Sequence, residues 1–244
     1  TRASLGQIAL DGITPRALVA SNDGSKLYVA CLYSGNRTTI LSEYLAPAQP
    51  NPTNPLLPAP PQVGLIVSAT DSRINWNVLD HDIAEINTTT HAINRWISGV
   101  GTHLFDLAMH PDGSLWCVNS DSLNLTRFEP ELNGHVSQHR LSRIALPATT
   151  VSHFDLNPGI TRSTTPHAPS IALALSQPTG VILNGDGSRA WITAFSSDRV
   201  AEVDTTTGAI LRRVDLRPTG AGTESMRGPR HLVMGNNRVY VLNK

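Results

Sequence analysis

IAEINTTTHAINRWI (83–97) is written a second time in the chain as VAEVDTTTGAILRRV (200–214), with eight of fifteen positions identical and three of the other seven exchanging Ile for Val. A second phrase recurs three times, as SNDGSKLYVA from Ser21, HPDGSLWCVN from His110 and NGDGSRAWIT from Asn184. Such a unit cannot bury its apolar face alone and must stack on copies of itself, so the repeats decide the fold before any single residue does.

The clearest copy occupies 177–216. Pro178 opens an apolar run, and Asn184-Gly-Asp-Gly-Ser turns it into a second strand, Arg189-Ala-Trp-Ile-Thr-Ala-Phe. Ser196-Ser-Asp leads to a third strand, 199–204, and the loop 205–208 to a fourth, 209–216. Four short antiparallel strands in about 40 residues describe one blade of a β-propeller. In each Asp-Gly pair (23–24, 112–113, 186–187) the Asp caps its own turn and the Gly supplies a positive φ. Gly208 suits a left-handed position closing its loop, and His91 stands at the matching place in the other copy, which assigns His91 to a turn.

Blade starts fall near Pro15, Leu104, Pro178 and Pro229, and residues 5–10 (LGQIAL) read as the last strand of an earlier blade. The intervals exceed the usual repeat of about 40–45 residues, so insertions are expected near 42–81, 131–175 and 217–227. The first contains a Pro-rich stretch, 45–61, expected to be extended and exposed. Closed rings typically carry about six to eight blades, with four as the lower limit, so the expectation from about four blade starts is part of a larger propeller. The missing initiator Met at Thr1 and the ending VYVLNK in mid-strand point the same way, to a piece of a longer chain.

The 19 basic and 19 acidic residues balance, which removes any global field that would draw the chain to nucleic acid or an anionic membrane. No apolar run approaches the roughly 20 residues that span a bilayer. Cys31 and Cys117 both sit in strand-like runs and read as buried thiols, with a disulfide between them as the alternative. There is no Cys-x-x-Cys-His, so no c-type haem attaches to this segment.

The stretches PRALVASNDGSKLYVAC (15–31), QPTGVILNGDGSRAWITAFSSDRVAEVDTTTGAI (177–210) and GPRHLVMGNNRVYVLNK (228–244) resemble YVTN-type β-propeller repeats. Tyr28-Val29-Ala30 and Tyr240-Val241-Leu242-Asn243 match the strand that names the family, and Trp116-Cys117-Val118-Asn119 is a variant. SGNRTTIL (34–41), GVGTHLFDLAMHP (99–111) and ALSQPTG (174–180) resemble the propeller portion of large secreted bacterial proteins that also carry c-type cytochrome domains. That resemblance implies a periplasmic or extracellular setting and a protein partner, such as a cytochrome domain or subunit.

Asp80-His81-Asp82 is the densest candidate metal cluster, but such a triplet reads more simply as a solvated turn entering a strand, and no zinc spacing occurs among the other histidines. No metal ligand is therefore assigned, and whether a metal binds stays open. No Gly-x-Ser-x-Gly, His-Glu-x-x-His or phosphate loop is present, a pair such as Asp106 and His110 requires proximity the sequence does not show, and no catalytic residue is assigned. Asn36, Asn87 and Asn124 begin glycosylation-type triplets of the sort expected by chance in a chain this rich in Asn and Thr.

The position with a geometric argument is the blade start, because innermost strands begin beside the central channel. Arg16, His103, Thr179 and Arg230 should ring that opening, where two arginines and an imidazole suit an anion or a partner's carboxylates. The plainer reading has them paired with acidic groups between blades. The sequence therefore reads as an all-β propeller acting as a non-catalytic binding scaffold. The competing reading is a propeller enzyme of the lactonase or quinoprotein-dehydrogenase type with a central-channel site.

Overall fold

The computed structural model describes residues 6–52, 54–59, 61–123, 135–160, 168–222 and 224–244. Its first blade is built from β1 (Ile13–Ala20) and β2 (Lys26–Tyr33). A projecting hairpin of β3 (Thr38–Leu41) and β4 (Leu65–Ser68) follows, and then β5 (Ile83–Asn87) and β6 (Ile93–Ile97) complete the blade. The second blade is β7 (His103–Met109), β8 (Leu115–Ser122), β9 (Ser137–Ala145) and β10 (Thr150–Asp155). A short helix, α1 (Ala168–Leu173), leads to the third, β11 (Pro178–Leu183), β12 (Arg189–Ala194), β13 (Arg199–Asp204) and β14 (Ile210–Asp215). A hairpin of β15 (His231–Gly235) and β16 (Arg238–Leu242) stands where a fourth blade begins.

Every blade is an antiparallel meander. The innermost strands β1, β7, β11 and β15 pack side by side in chain order, which is the radial arrangement of a propeller. One bridge, Tyr33 to His103, joins the first two blades at the end where the innermost strands begin.

The doubled sentence folds twice into the same hairpin. Asn87 Oδ1 accepts the amides of Thr89 and Thr90, and Asp204 Oδ1 accepts those of Thr206 and Thr207. His91 takes φ +59° where Gly208 takes +73°, and the register slips at the same place, Glu85/Ile86 and Glu202/Val203. The Asp-Gly turns also agree: Asp23, Asp112 and Asp186 each accept the amide two residues on, and Gly24, Gly113 and Gly187 take positive φ.

Packing explains why one unit is insufficient. Trp116 and Cys117 are adjacent on β8 and point to opposite faces. Cys117 joins Tyr28, Ile83 and Leu104 in the core between the first and second blades. Trp116 joins Leu141, Ile192 and Val203 between the second and third. Both faces of the second blade are therefore buried, and its run Leu115-Trp-Cys-Val has no polar residue to offer water. Cys31 and Cys117 are both free and buried.

Three sequence expectations change. Residues 131–175 are not wholly an insertion, because β9 and β10 lie within them and supply the outer half of the second blade. The first insertion contains β4, which pairs back onto β3, while its Pro-rich part has no strand among its described residues and leaves Leu56 90% exposed. Residues 6–10 form no strand; Leu10 packs on the outer face of the first blade beside Val29 and Trp96 instead. Asn124 lies outside the described residues.

On the face that carries the Asp-Gly turns, adjacent blades are bonded turn to turn. Asn22 Nδ2 donates to His110 O at 3.0 Å, and the His110 ring reaches Gly187 O, also at 3.0 Å. A Cβ on Gly187 would stand 2.2 Å from His110 Nε2, at φ +79°. Gly187→Ala should therefore destabilise the fold by about 2–3 kcal/mol, and in a His110→Ala background only the left-handed penalty of about 1 kcal/mol should remain. Urea unfolding of the four proteins in this cycle measures both terms.

Candidate functional site

All three complete blades carry a β-bulge near the start of the innermost strand, between Pro15 and Ala17, Leu104 and Asp106, and Pro178 and Gly180. The extra residue at each bulge is Arg16, Phe105 or Thr179, and Arg230 holds the equivalent place after Pro229. Bulges re-aim side chains at the rims of sheets. Here they help place Arg16, Phe105, Thr179 and Arg230 in the wall of one cavity of about 420 Å³. His103 lies two residues before the bulge position of its blade, yet its ring lines the same cavity.

The sequence pointed to Arg16, His103, Thr179 and Arg230, and the fold brings all four together. It did not point to the aromatic residues between them. Arg16 lies over the Phe105 ring at 5.9 Å, and Arg230 over Phe195 at 5.3 Å. Tyr33 meets His103 edge to face at 5.3 Å. Phe105 was legible by strict alignment of the blade starts. Phe195 and Tyr33, at the ends of second strands, have no such signal.

The polar groups differ in how far they are committed. Thr179 Oγ1 lies 2.9 Å from Pro229 O, to which it donates, and 3.1 Å from Thr193 Oγ1, from which it accepts. Its hydroxyl therefore fastens β11 to the segment entering β15. His103 Nδ1 lies 3.2 Å from Thr102 Oγ1, and burial lowers the imidazole's proton affinity, with the Asp121 charge opposing. Arg16 and Arg230 make no salt bridge with a carboxylate among the described residues, and the Asp106 charge acts on Arg16 from the neighbouring blade without contact. Among the described residues no acidic side chain lines the cavity.

Asp106, next in sequence to the cavity residue Phe105, stands behind the wall. Its Oδ2 accepts the Val181 amide at 3.0 Å and lies 3.5 Å from His231 Nδ1, while Oδ1 accepts the Leu107 amide. Burial pushes its carboxyl up, opposed by the Val181 amide and the charges of His231 and Arg16. Asp106 does not meet His110: it joins β7 to β11 and β15, and His110 works at the far end of β7.

Asp80-His81-Asp82 does not gather its three side chains at one point: the two carboxylates stay close enough to interact, while His81 turns away onto Trp96. Asp80 binds Arg37 and the Gly99 amide. His81 stacks on Trp96 at 4.3 Å and reaches Asp11 O. Asp82 turns inward, fully buried, and accepts the amides of Val100 and Gly101 through Oδ2, while its Oδ1 has no hydrogen-bond partner. Among the described residues no three His, Cys, Asp or Glu side chains stand together as a metal site.

Burial, reinforced by the Asp80 charge, raises Asp82 from 3.8 to about 7. Between those values the folded chain holds a proton that the unfolded chain has released. Stability from this group is complete below about pH 4 and is lost as pH rises through about 7. The urea midpoint of the wild type relative to Asp82→Asn should therefore fall steadily from pH 4 to 7. Parallel pH profiles would show that Asp82 ionises freely in the fold.

No protein-family model matches the chain, and no curated protein matches it. Among solved structures it is similar to Kuenenia stuttgartiensis hydrazine synthase, with a TM-score of 0.58 at 13% identity over 94% of this chain and 58% of that one. It is also similar to the periplasmic gluconolactonase PpgL of Pseudomonas aeruginosa, with a TM-score of 0.45 at 17% identity over 94% of this chain and 50% of that one. A third is the β-propeller domain of Cps50 (Swd1) from Myceliophteria thermophila, with a TM-score of 0.41 at 10% identity over 96% of this chain and 64% of that one. The chain thus spans between 50% and 64% of the length of these neighbours. At these identities the likeness shows the propeller fold alone.

Proposed function

We propose that the chain is a non-catalytic propeller scaffold whose channel mouth binds carboxylate groups of a protein partner in a periplasmic or extracellular assembly. The observation that carries this reading is a cavity with two guanidiniums and, among the described residues, no acidic side chain in its wall. Guanidinium binds carboxylate through paired, charge-assisted hydrogen bonds, and the aromatic rings beneath Arg16 and Arg230 hold the forks in place. Blades stacked on two buried faces form a rigid base. The first insertion adds exposed apolar residues, Tyr44 at 88% and Trp76 at 75%, for further partner contact. The resemblance to propellers joined to cytochrome domains favours a c-type cytochrome as that partner. Among the described residues no helix is long and apolar enough to cross a membrane.

An enzyme of the lactonase or quinoprotein-dehydrogenase type is the competing reading. Its one support is the Asp106–His231 pair, next in sequence to the cavity residues Phe105 and Arg230. Turnover of a δ-lactone by the purified chain, lost in Asp106→Asn, would select it.

Binding of a fluorescent octaglutamate peptide, followed by anisotropy at low salt, tests the scaffold reading. Arg16→Gln and Arg230→Gln should each weaken binding about tenfold and the double variant about a hundredfold, the scale of one charge-assisted interaction per arginine. Arg73→Gln, which removes a cation already paired with Asp71 outside the cavity, should leave affinity unchanged. Equal binding by the wild type and the double variant would overturn the assignment.

A further inference from the structure

We infer that the channel mouth also takes a small free dicarboxylate, which bridges Arg16 to Arg230 and so latches the first blade to the hairpin that opens the fourth. This inference rests on the carboxylate-binding reading of the same cavity. The two guanidiniums come from opposite ends of the arc, one from β1 and one from the residue before β15, with β7 and β11 between them. They face a shared space with no carboxylate in its wall among the described residues, so two like charges repel across it with only Asp106, behind the wall, acting on Arg16. One ligand with two anionic ends removes that repulsion; two separate monoanions must each be immobilised and also repel one another.

The wall between the charges favours a carbon skeleton over a compact inorganic anion. Leu32, Phe105 and Phe195 supply apolar surface in the same cavity as the guanidiniums. A volume of about 420 Å³ lies within the range of small-molecule sites. Phosphate would satisfy the charge but leave that surface wet.

The mechanical consequence follows from how β15 and β16 are held. They form a two-stranded sheet, and two-stranded ribbons are marginal by themselves. The ties described above are Thr179 to Pro229, Asp106 to His231, and Arg230 over Phe195. Gly180 adds a close approach, since a Cβ there would stand 3.1 Å from both Arg230 O and His231 Cα. A dicarboxylate between Arg16 and Arg230 adds a tie to the first blade.

Glutarate, acetate and inorganic phosphate, applied to the full chain, test the inference by calorimetric titration, melting temperature and amide hydrogen exchange. Glutarate should bind one to one, raise the melting temperature and slow exchange in β15 and β16. Acetate at equal carboxylate concentration should do neither, and phosphate should bind at least tenfold more weakly than glutarate. Arg16→Gln should reduce glutarate to the level of acetate while the variant keeps the wild-type far-ultraviolet spectrum. Arg16→Lys should bind glutarate at intermediate strength, since it keeps the charge and loses the fork. Equal effects of glutarate and acetate, equal binding of phosphate, or a glutarate response that survives Arg16→Gln/Arg230→Gln would each overturn the latch. If the octaglutamate peptide binds through the arginines and glutarate does not, only the latch fails. If neither binds, the carboxylate-binding reading fails with it.

Discussion

A four-stranded blade is a thin sheet with two apolar faces, and burying both requires a neighbour on each side. Trp116 and Cys117 express this constraint most directly, since consecutive residues of one strand enter two different cores. The first core holds five residues of the first blade, among them Tyr28 and Ile83, against the second blade. The other joins the second blade to the third. The hydrophobic effect therefore acts between repeats more than within them, and the regular stacking of innermost strands follows.

Stacked faces leave polar backbone at both rims, and the two rims satisfy it differently. On the turn face, Asn22 and His110 reach across to the next blade's turn, each accommodated by the Asp-Gly geometry that the sequence repeats. On the channel face the blade starts are held by buried side chains that do not repeat. Asp106 accepts an amide from the neighbouring blade, and Thr179 donates to Pro229 O at the entry to the next blade. Asp82 receives the turn before β7 through Val100 and Gly101. This rim departs from the repeat, and the candidate site lies there.

Much of the fold was legible because turn chemistry is local. Asp23, Asp112 and Asp186 cap their turns through the amide two residues away, and His91 takes the left-handed conformation that Gly208 takes at the matching place in the other copy. Elsewhere the local signals are weak. β9 and β10 were hidden in a stretch counted as an insertion, since SQHRLSRIA alternates polar residues whose burial depends on Asn119, Asp121 and His153 across the sheet. The apolar residues before Gly12 read as a strand, but Leu10 found its partner on the face of the first blade.

The sequence by itself determined the repeating unit, its turns and the positions at which innermost strands begin, because hydrophobic alternation and Asp-Gly chemistry act over a few residues. From those starts it also placed Arg16, His103, Thr179 and Arg230 near a common axis. Only the tertiary structure decided which groups surround them. Phe105 and Phe195 beneath the arginines, Asp106 behind the wall and the lack of an acidic lining among the described residues result from bulges and blade packing that join residues more than two hundred positions apart. The physical reason is that a repeat specifies its own hydrogen bonds, whereas a cavity is made by what neighbouring repeats leave unfilled.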